Sequence, residues 1–419
     1  VFEAIGSSPP RWHSRDDGAL VRCVRTLSAE LYGNAISSGN PTALEAAVKY
    51  ADAREIRDAT VFCQSDRRVI ISPHDVDSDP WVIGAPNGYI DLRTGTLHPH
   101  DTSHIITKSV RPVFDPKADC PAWMAWLEQM LPSASVRLFI QRLAGYSLTG
   151  LMSEQIFPFL HGIGANGKST LIEVLFHLMG SYALKAPDRL VHMDDRGSTP
   201  PDVIAAIDGV RFLAGPETTE GARLNEGTIK DLVGGDSMSG ARKYEHQYTF
   251  SPVAKLWCFG NHKPVIRGTD DGIWRRIRLV HFPVQIASHL RDGHLKERLK
   301  SEDSGILTWA VEGCLEWQRD GLKTPDSISS DTQQYREDED PLADFLSERT
   351  CDAQGQSISV SNLYASYQSW ASASGIRNQL TNRALGNKLR DRGWIQVRTT
   401  AYRSWSGKML INAPTPLDL

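Results

Sequence analysis

The chain has 419 residues, a formal net charge of −4, 40% hydrophobic and 23% charged residues. At ~150 residues per domain, this is room for two to three domains of ordinary soluble globular composition. A near-neutral total still leaves room for a local basic surface. The six cysteines (Cys23, Cys63, Cys120, Cys258, Cys314, Cys351) are scattered, without a CxxC pair or a Cys/His cluster. That argues against a zinc site or a disulfide framework and for a reducing, cytoplasmic compartment. No apolar run approaches the ~20 residues that span a bilayer, so no membrane association is expected. Val1-Phe2-Glu3-Ala4 lacks both an initiator Met and the basic-then-apolar pattern of a signal peptide, as expected of a fragment or a processed product.

In chain order, residues 16–60 read as helical, with Leu20, Val21, Val24, Leu27 and Leu31 at helical spacing and an Ala-rich continuation over Leu44–Tyr50. Residues 68–112 switch to short β-rich runs. Asn87-Gly88 and Thr94-Gly95-Thr96 are turn signals on either side of Tyr89-Ile90-Asp91-Leu92. Helical spacing returns over 121–150 with Trp123, Trp126, Leu127, Met130, Phe139, Ile140, Leu143 and Leu148. The middle third then alternates helices with strand-like runs at Ile156–Leu160, Val210–Ala214 and Leu256–Phe259, the arithmetic of an α/β sheet. Past residue 320 a polar stretch reads as a linker or an exposed helix.

Gly162-Ile163-Gly164-Ala165-Asn166-Gly167-Lys168-Ser169-Thr170 satisfies the spacing G-x-x-x-x-G-K-[ST]. Glycines let backbone N–H groups curl around phosphate oxygens, the lysine neutralises β/γ charge, and the Ser169 hydroxyl ligates Mg²⁺. An apolar run precedes the loop, and Leu171, Val174, Leu175 and Leu178 follow at helical spacing, so the loop feeds a helix N-terminus. Pro158 is out of place in a central strand. The candidate triphosphate site is therefore Gly162, Gly164, Ala165, Asn166, Gly167, Lys168, Ser169 and Thr170, with ATP and Mg²⁺ as expected ligands.

Hydrolysis needs further polar groups. Glu217, past the end of the next strand, is placed to polarise the attacking water; the alternative is a solvated residue capping the following helix. Glu220 is a weaker candidate one turn on. Asn261 ends the third strand, where an amide can bridge γ-phosphate and water, although an Asn there is often a turn residue.

Together these residues resemble the C-terminal part of phage and plasmid primase–helicases, whose motor is a superfamily 3 helicase. The resemblance rests on the loop, on Glu217 to Asp236, and on Leu256-Trp257-x-x-x-Asn261-His262-Lys263-Pro264. It rests also on Arg267-Gly268-Thr269-Asp270 with Trp274-Arg275-Arg276-Ile277-Arg278, and upstream on Asn87 to Gly95. It implies a ring-forming, usually hexameric AAA+ motor that couples triphosphate hydrolysis to DNA unwinding. Arg275 and Arg276 would then reach a neighbour's γ-phosphate, the alternative being a local ion pair with Asp270 or Asp271. A hairpin over Ser239–Phe250 would line the pore, with Arg242, Lys243 and His246 on DNA phosphates, unless it is an ordinary solvated hairpin. One departure is Pro216, which stands where many relatives carry a second acid beside Glu217.

Residues 342–412 read as helices at Leu342–Glu348, Val360–Ala373 and Thr381–Arg392, then a hairpin of Trp394–Val397 with Met409–Asn412, the order of a winged helix. Across 361–410 eight basic residues, Arg377, Arg383, Lys388, Arg390, Arg392, Arg398, Arg403 and Lys408, face Asp391 alone. This is an electrostatic footprint for nucleic acid, with Arg383, Lys388, Arg390 and Arg392 on a recognition helix. The alternative is a lid or subunit contact.

The expected fold class is thus α/β, a P-loop AAA+ core with an accessory domain and a winged helix. The expected units are an accessory domain over 1–120, the ATPase over 121–320, a linker over 321–341 and the winged helix over 342–419. The expected function is an ATP-dependent DNA helicase, a homo-hexamer on single-stranded or forked DNA with replication partners. Two alternatives are the C-terminal part of a primase or polymerase whose synthesis domain lies upstream, and a DNA-loading switch without unwinding. Asp75, Asp77 and Asp79 in a Pro-bounded loop read as surface acids rather than a nucleotidyl-transfer site.

Overall fold

The computed structural model describes residues 2–5, 11–14, 18–65, 71–72, 75–101, 104–193, 198–266, 271–376, 379–398 and 403–411. A two-stranded hairpin, β1 (Phe2–Ile5) and β2 (Arg11–Ser14), precedes three helices, α1 (Gly18–Ser38), α2 (Pro41–Tyr50) and α3 (Ala53–Ser65). The helices match the expected helical segment. Their apolar side chains are only thinly covered: Leu27, Ile36 and Phe62 stay exposed. The strands β3 (Val82–Ala85), β4 (Gly88–Asp91) and β5 (Thr96–His98) form an antiparallel meander, folded back at the two turns read from the sequence.

That meander does not stand apart. Ile83, Ile90 and Leu92 share one hydrophobic core with α4 (Pro121–Met130) and α5 (Ala134–Leu148), through Trp123, Leu127, Ile140 and Leu143. A boundary at residue 120 therefore cuts through continuous packing, because the meander has too few apolar residues to close a core of its own.

The centre is a five-stranded sheet in the order β12-β6-β11-β8-β7, all parallel. Along the chain run β6 (Phe157–His161), α6 (Lys168–Met179), β7 (Ala183–Lys185), α7 (Asp188–Val191), α8 (Pro201–Ala205) and β8 (Phe212–Thr218). There follow α9 (Glu226–Gly234), the hairpin β9 (Met238–Gly240) and β10 (Tyr248–Phe250), β11 (Lys255–Gly260), α10 (Asp271–Trp274) and β12 (Ile277–His281). Side chains alternate between two cores, as a sheet buried on both faces requires. Leu160, Phe212, Ala214 and Trp257 pack with α4, α5 and α6 and with α12 (Asp303–Asp320), which follows α11 (Leu295–Lys300). Phe157, Phe159, Leu213, Leu256 and Cys258 pack on the other face with α7, α9 and α10. The expected strands are β6, β8 and β11; β7 and β12 join them.

Register explains the two awkward prolines. Phe157 N–H donates to Arg276 O at 2.9 Å, toward β12. The Pro158 imide therefore faces β11, whose ladder with β6 begins only at Phe159, so no hydrogen bond is lost. Pro216 sits in an irregularity of β8: Trp257 pairs with Ala214, but Phe259 with Glu217, one extra residue on β8. A bulge tolerates the missing N–H and re-aims the side chain that follows.

The polar stretch after residue 320 is not a linker. α13 (Asp326–Asp338) buries Ile328 and Tyr335, and Thr332 Oγ1 accepts from Leu279 N–H of β12 at 3.0 Å. The remaining elements are α14 (Pro341–Arg349), β13 (Thr350–Ser359), α15 (Val360–Ala373), α16 (Asn382–Asp391), β14 (Gln396–Arg398) and β15 (Arg403–Leu410). Phe345, Leu363, Tyr367, Trp370, Leu385, Leu389 and Trp405 form their own core. The sheet corrects the expected hairpin. Gln396 pairs with Trp405, and Met409 pairs with Cys351 of β13, a strand the sequence reading lacked. Asn412 and Arg377 lie outside the described residues.

Candidate nucleotide site

The loop Gly162–Gly167 links the C-terminal end of β6 to α6, whose first turn has no side-chain cap. It leads into the N-terminus of that helix, where partial positive charge favours an anion. Two glycines are sterically required. Gly162 has φ +151°, and a Cβ there would sit 2.4 Å from Asn166 Nδ2 and 2.5 Å from Phe282 O. Gly167 has φ +86°, and its Cβ would press 2.8 Å from Trp126. Ala165, at φ +63°, holds a conformation that L-residues rarely adopt.

Lys168 is buried, and its Nζ donates to Gly162 O at 2.7 Å, Asn166 Oδ1 at 2.8 Å and Asn261 Oδ1 at 3.0 Å. All three acceptors are neutral, so the charge stays uncompensated at first contact. Burial lowers the ammonium below its ordinary value and the Glu217 carboxylate raises it again. Asn261 Nδ2 in turn approaches Glu217 Oε1 at 3.4 Å. Lys168, Asn261 and Glu217, from three different strands or their loops, thus form one polar line at one end of the sheet. Ser169 is exposed and Thr170 half-buried on the first turn of α6; Gly164 and Ala165 line the crest. Glu217 lies within β8, one residue before its end at Thr218, rather than past it, with Glu220 exposed beyond.

Several partners were not read from the sequence. Asn166 faces inward, its Nδ2 donating to Phe282 O at 3.3 Å. Gln285 Nε2 donates to Gly164 O at 3.1 Å and Ile286 N–H to Ala165 O at 3.0 Å. The segment after β12 therefore staples the loop.

His161 is the last residue of β6. Burial first, then Lys263, His281 and Lys168, pull it from 6.5 to about 4. The unfolded chain thus takes up this proton at higher pH than the folded one. The associated stability is complete above about pH 6.5 and is lost as pH falls through about 4. His161→Gln is expected to flatten the acid limb of a thermal-unfolding profile taken between those limits.

The arginines divide. Ile277 pairs with Phe157 at the start of β6, while His281 pairs with His161 beside the loop. Arg275 and Arg276 therefore lie at the end of the sheet away from their own subunit's loop. Arg275 is exposed, in a groove of about 570 Å³ shared with Arg278, Arg336 and Thr324. Arg276 is 7% exposed, with Nη1 donating to Gly272 O at 2.6 Å. Asp271 is held by Arg336 at 2.7 Å, and among the described residues Arg275 makes no ion pair. Residues 267–270 lie outside the described set.

The hairpin β9–β10 is present, with Arg242, Lys243 and His246 exposed near its tip. On α16, Arg383 and Arg390 are exposed. Arg392 instead pairs with Asp340, and Lys388 is partly buried, lowered by desolvation and raised by Asp340. These four basic residues, three on α16 and Arg392 just past its end, thus face two ways, two outward and two toward the body of the protein.

Three family models match in succession: D5 N terminal like over residues 10–132, a family of unknown function (DUF5906) over 160–276, and Poxvirus D5 protein-like over 337–410. The candidate helicase L207/L206 of Acanthamoeba polyphaga mimivirus is 26% identical over 71% of this chain and 33% of its own length. The candidate helicase 022R of Frog virus 3 is 22% identical over 68% and 30%. The candidate primase C962R of African swine fever virus is 22% identical over 71% and 34%. The chain thus spans about a third of the length of the curated relatives it matches. Among solved structures, the C-terminal region of NrS-1 aligns with a TM-score of 0.46 at 12% identity, over 74% of this chain and 81% of that one. Among the described residues no helix is long and apolar enough to cross a membrane. The succession of D5-type segments and the viral relatives agree in supporting a phage or viral primase–helicase family for this chain.

Proposed function

We propose that this chain is the ATP-driven motor of a viral or phage replication protein, a superfamily 3 DNA helicase with an AAA+ core and a C-terminal winged helix. The observation that carries the reading is the line Lys168–Asn261–Glu217 across the end of a parallel sheet, beside an uncapped helix N-terminus. Lys168 and the loop amides bind the triphosphate, Asn261 positions the γ-phosphate and water, and Glu217 orients the water and accepts its proton. Among the described residues no group of three or more His, Cys, Asp or Glu could hold a metal. Mg²⁺ would therefore rest on Ser169, phosphate oxygens and water, with Glu217 nearby. When bound, it neutralises charge on the phosphates.

Each site is half of a whole. Arg275, at the far end of β12, serves the nucleotide of the next subunit in a closed ring, for which a homo-hexamer is the expected form. Arg242, Lys243 and His246 contact backbone phosphates of DNA in the pore, and Arg383 and Arg390 extend the basic surface on the C-terminal unit. The order α14-β13-α15-α16-β14-β15 supports the winged-helix reading of that unit. Because the relatives are about three times longer and one is named a candidate primase, a synthesis domain upstream is compatible with this motor.

ATPase and strand separation on forked and single-stranded DNA test the proposal. The motor predicts ATP-dependent separation of forked DNA, with hydrolysis stimulated by DNA. Stimulation without separation would instead identify a loading switch, and hydrolysis indifferent to DNA would remove the DNA motor.

A further inference from the structure

Tyr244 is 94% exposed, at the tip of the β9–β10 hairpin. Its φ of +68° is a left-handed conformation that suits Gly or Asn far better than an aromatic residue. A ring fully in water on a strained backbone contributes nothing visible to folding, so its side chain calls for a role outside the fold. Its surroundings define what it meets. Lys243 Nζ lies 5.2 Å from the Tyr244 ring centroid, and Arg242 and His246 are exposed on the same turn.

The base of the hairpin, by contrast, is fixed. Tyr248 Oη donates to Asp208 at 3.1 Å, Arg242 lies 5.7 Å over the Tyr248 ring, and a Cβ on Gly240 would meet Ala205 at 2.8 Å. A rigid stem thus holds out an aromatic ring beside the Lys243 ammonium, with Arg242 exposed at the stem near Tyr248 and Asp208. That is the combination by which proteins grip single strands: charge follows the phosphates while a ring stacks on a base, tolerant of sequence.

We propose that Tyr244 is a stacking platform for a base of single-stranded DNA, with Lys243 and Arg242 holding the flanking phosphates. The inference rests on the DNA-motor reading and adds to it a contact with bases, where charge alone would touch only the backbone.

The test uses the full chain and fluorescein-labelled oligothymidylate, with and without abasic sites. Tyr244→Ala is expected to weaken binding to intact strands roughly 5- to 150-fold, which is ~1–3 kcal/mol at ~1.4 kcal/mol per tenfold. It should bind abasic strands like the parent protein, and Tyr244→Phe should restore discrimination between the two. The slope of log Kd against log salt should be unchanged in Tyr244→Ala. In Lys243→Ala it should become shallower by about 0.7. If Tyr244→Ala binds intact strands as the parent does while Lys243→Ala is weakened, the stacking role is overturned and the DNA reading stands. If neither variant alters binding, the hairpin is not a DNA contact: the stacking role falls, and the motor reading is left to the test of DNA-stimulated hydrolysis.

Discussion

Lys168→Ala is expected to abolish ATP hydrolysis, lowering turnover by at least ~10²-fold, the scale for removing one preorganised charge from a phosphoryl-transfer site. The lysine supplies the one charge in the line Lys168–Asn261–Glu217 that is complementary to a triphosphate. It reaches Asn261 while anchored on Gly162 O and Asn166 Oδ1. Alanine removes the charge and also strips two loop acceptors of their donor, at ~1–3 kcal/mol for each that stays buried. Thermal unfolding separates the two effects. A folded variant that binds nucleotide weakly and does not turn over supports the assignment. A folded variant with parental turnover discards the motor reading altogether.

The loop was legible because its chemistry is local. Glycines, lysine and serine at fixed spacing single it out, and the strand before it and the helix after it, which the structure shows, lie within about 20 residues of it. Glu217 and Asn261 were legible for a related reason: in a parallel sheet, polar residues at strand ends converge on one edge.

What could not be read joins distant positions. The contacts of Asn166 with Phe282 and of Gln285 with Gly164 span 116 and 121 residues, and no spacing rule relates them. The bulge at Gly215-Pro216 depends on register against β11, which exists only once the sheet has formed. The basic residues of α16 were countable but not directional. Arg392 turns inward because Asp340, outside the helix, offers it a partner. The meander over 82–98 looked like part of a separate unit until its apolar face met α4 and α5. Likewise α13, polar in composition, is tied down by two buried side chains, Ile328 and Tyr335, and by polar contacts to distant positions such as that of Thr332 with Leu279.

Arg275→Ala and Arg276→Ala are expected to fail in different ways, although sequence treats the two residues alike. Arg276 is enclosed beside α10, bonded to Gly272 O. Losing it removes a buried hydrogen bond and opens a gap beside α10, at ~1–3 kcal/mol. The expected signature is a lower melting temperature, ~2–4 °C for each kcal/mol, with hydrolysis retained well below the transition. Arg275 is solvent-exposed, and the Arg278 guanidinium braces its backbone carbonyl at 2.8 Å. Its removal costs the fold little. If it serves a neighbour's phosphate, however, hydrolysis should fall by ~10³–10⁵-fold, the range for an arginine supplied in trans. Mixing provides the decisive measurement. In a ring, an Arg275→Ala subunit keeps its own Lys168 and a Lys168→Ala neighbour still offers Arg275, so mixing the two inactive variants should restore part of the hydrolysis. No recovery on mixing would place Arg275 in its own subunit's chemistry or in a local ion pair. Of the two acids that could form that pair, Asp271 is engaged by Arg336, and Asp270 lies outside the described residues.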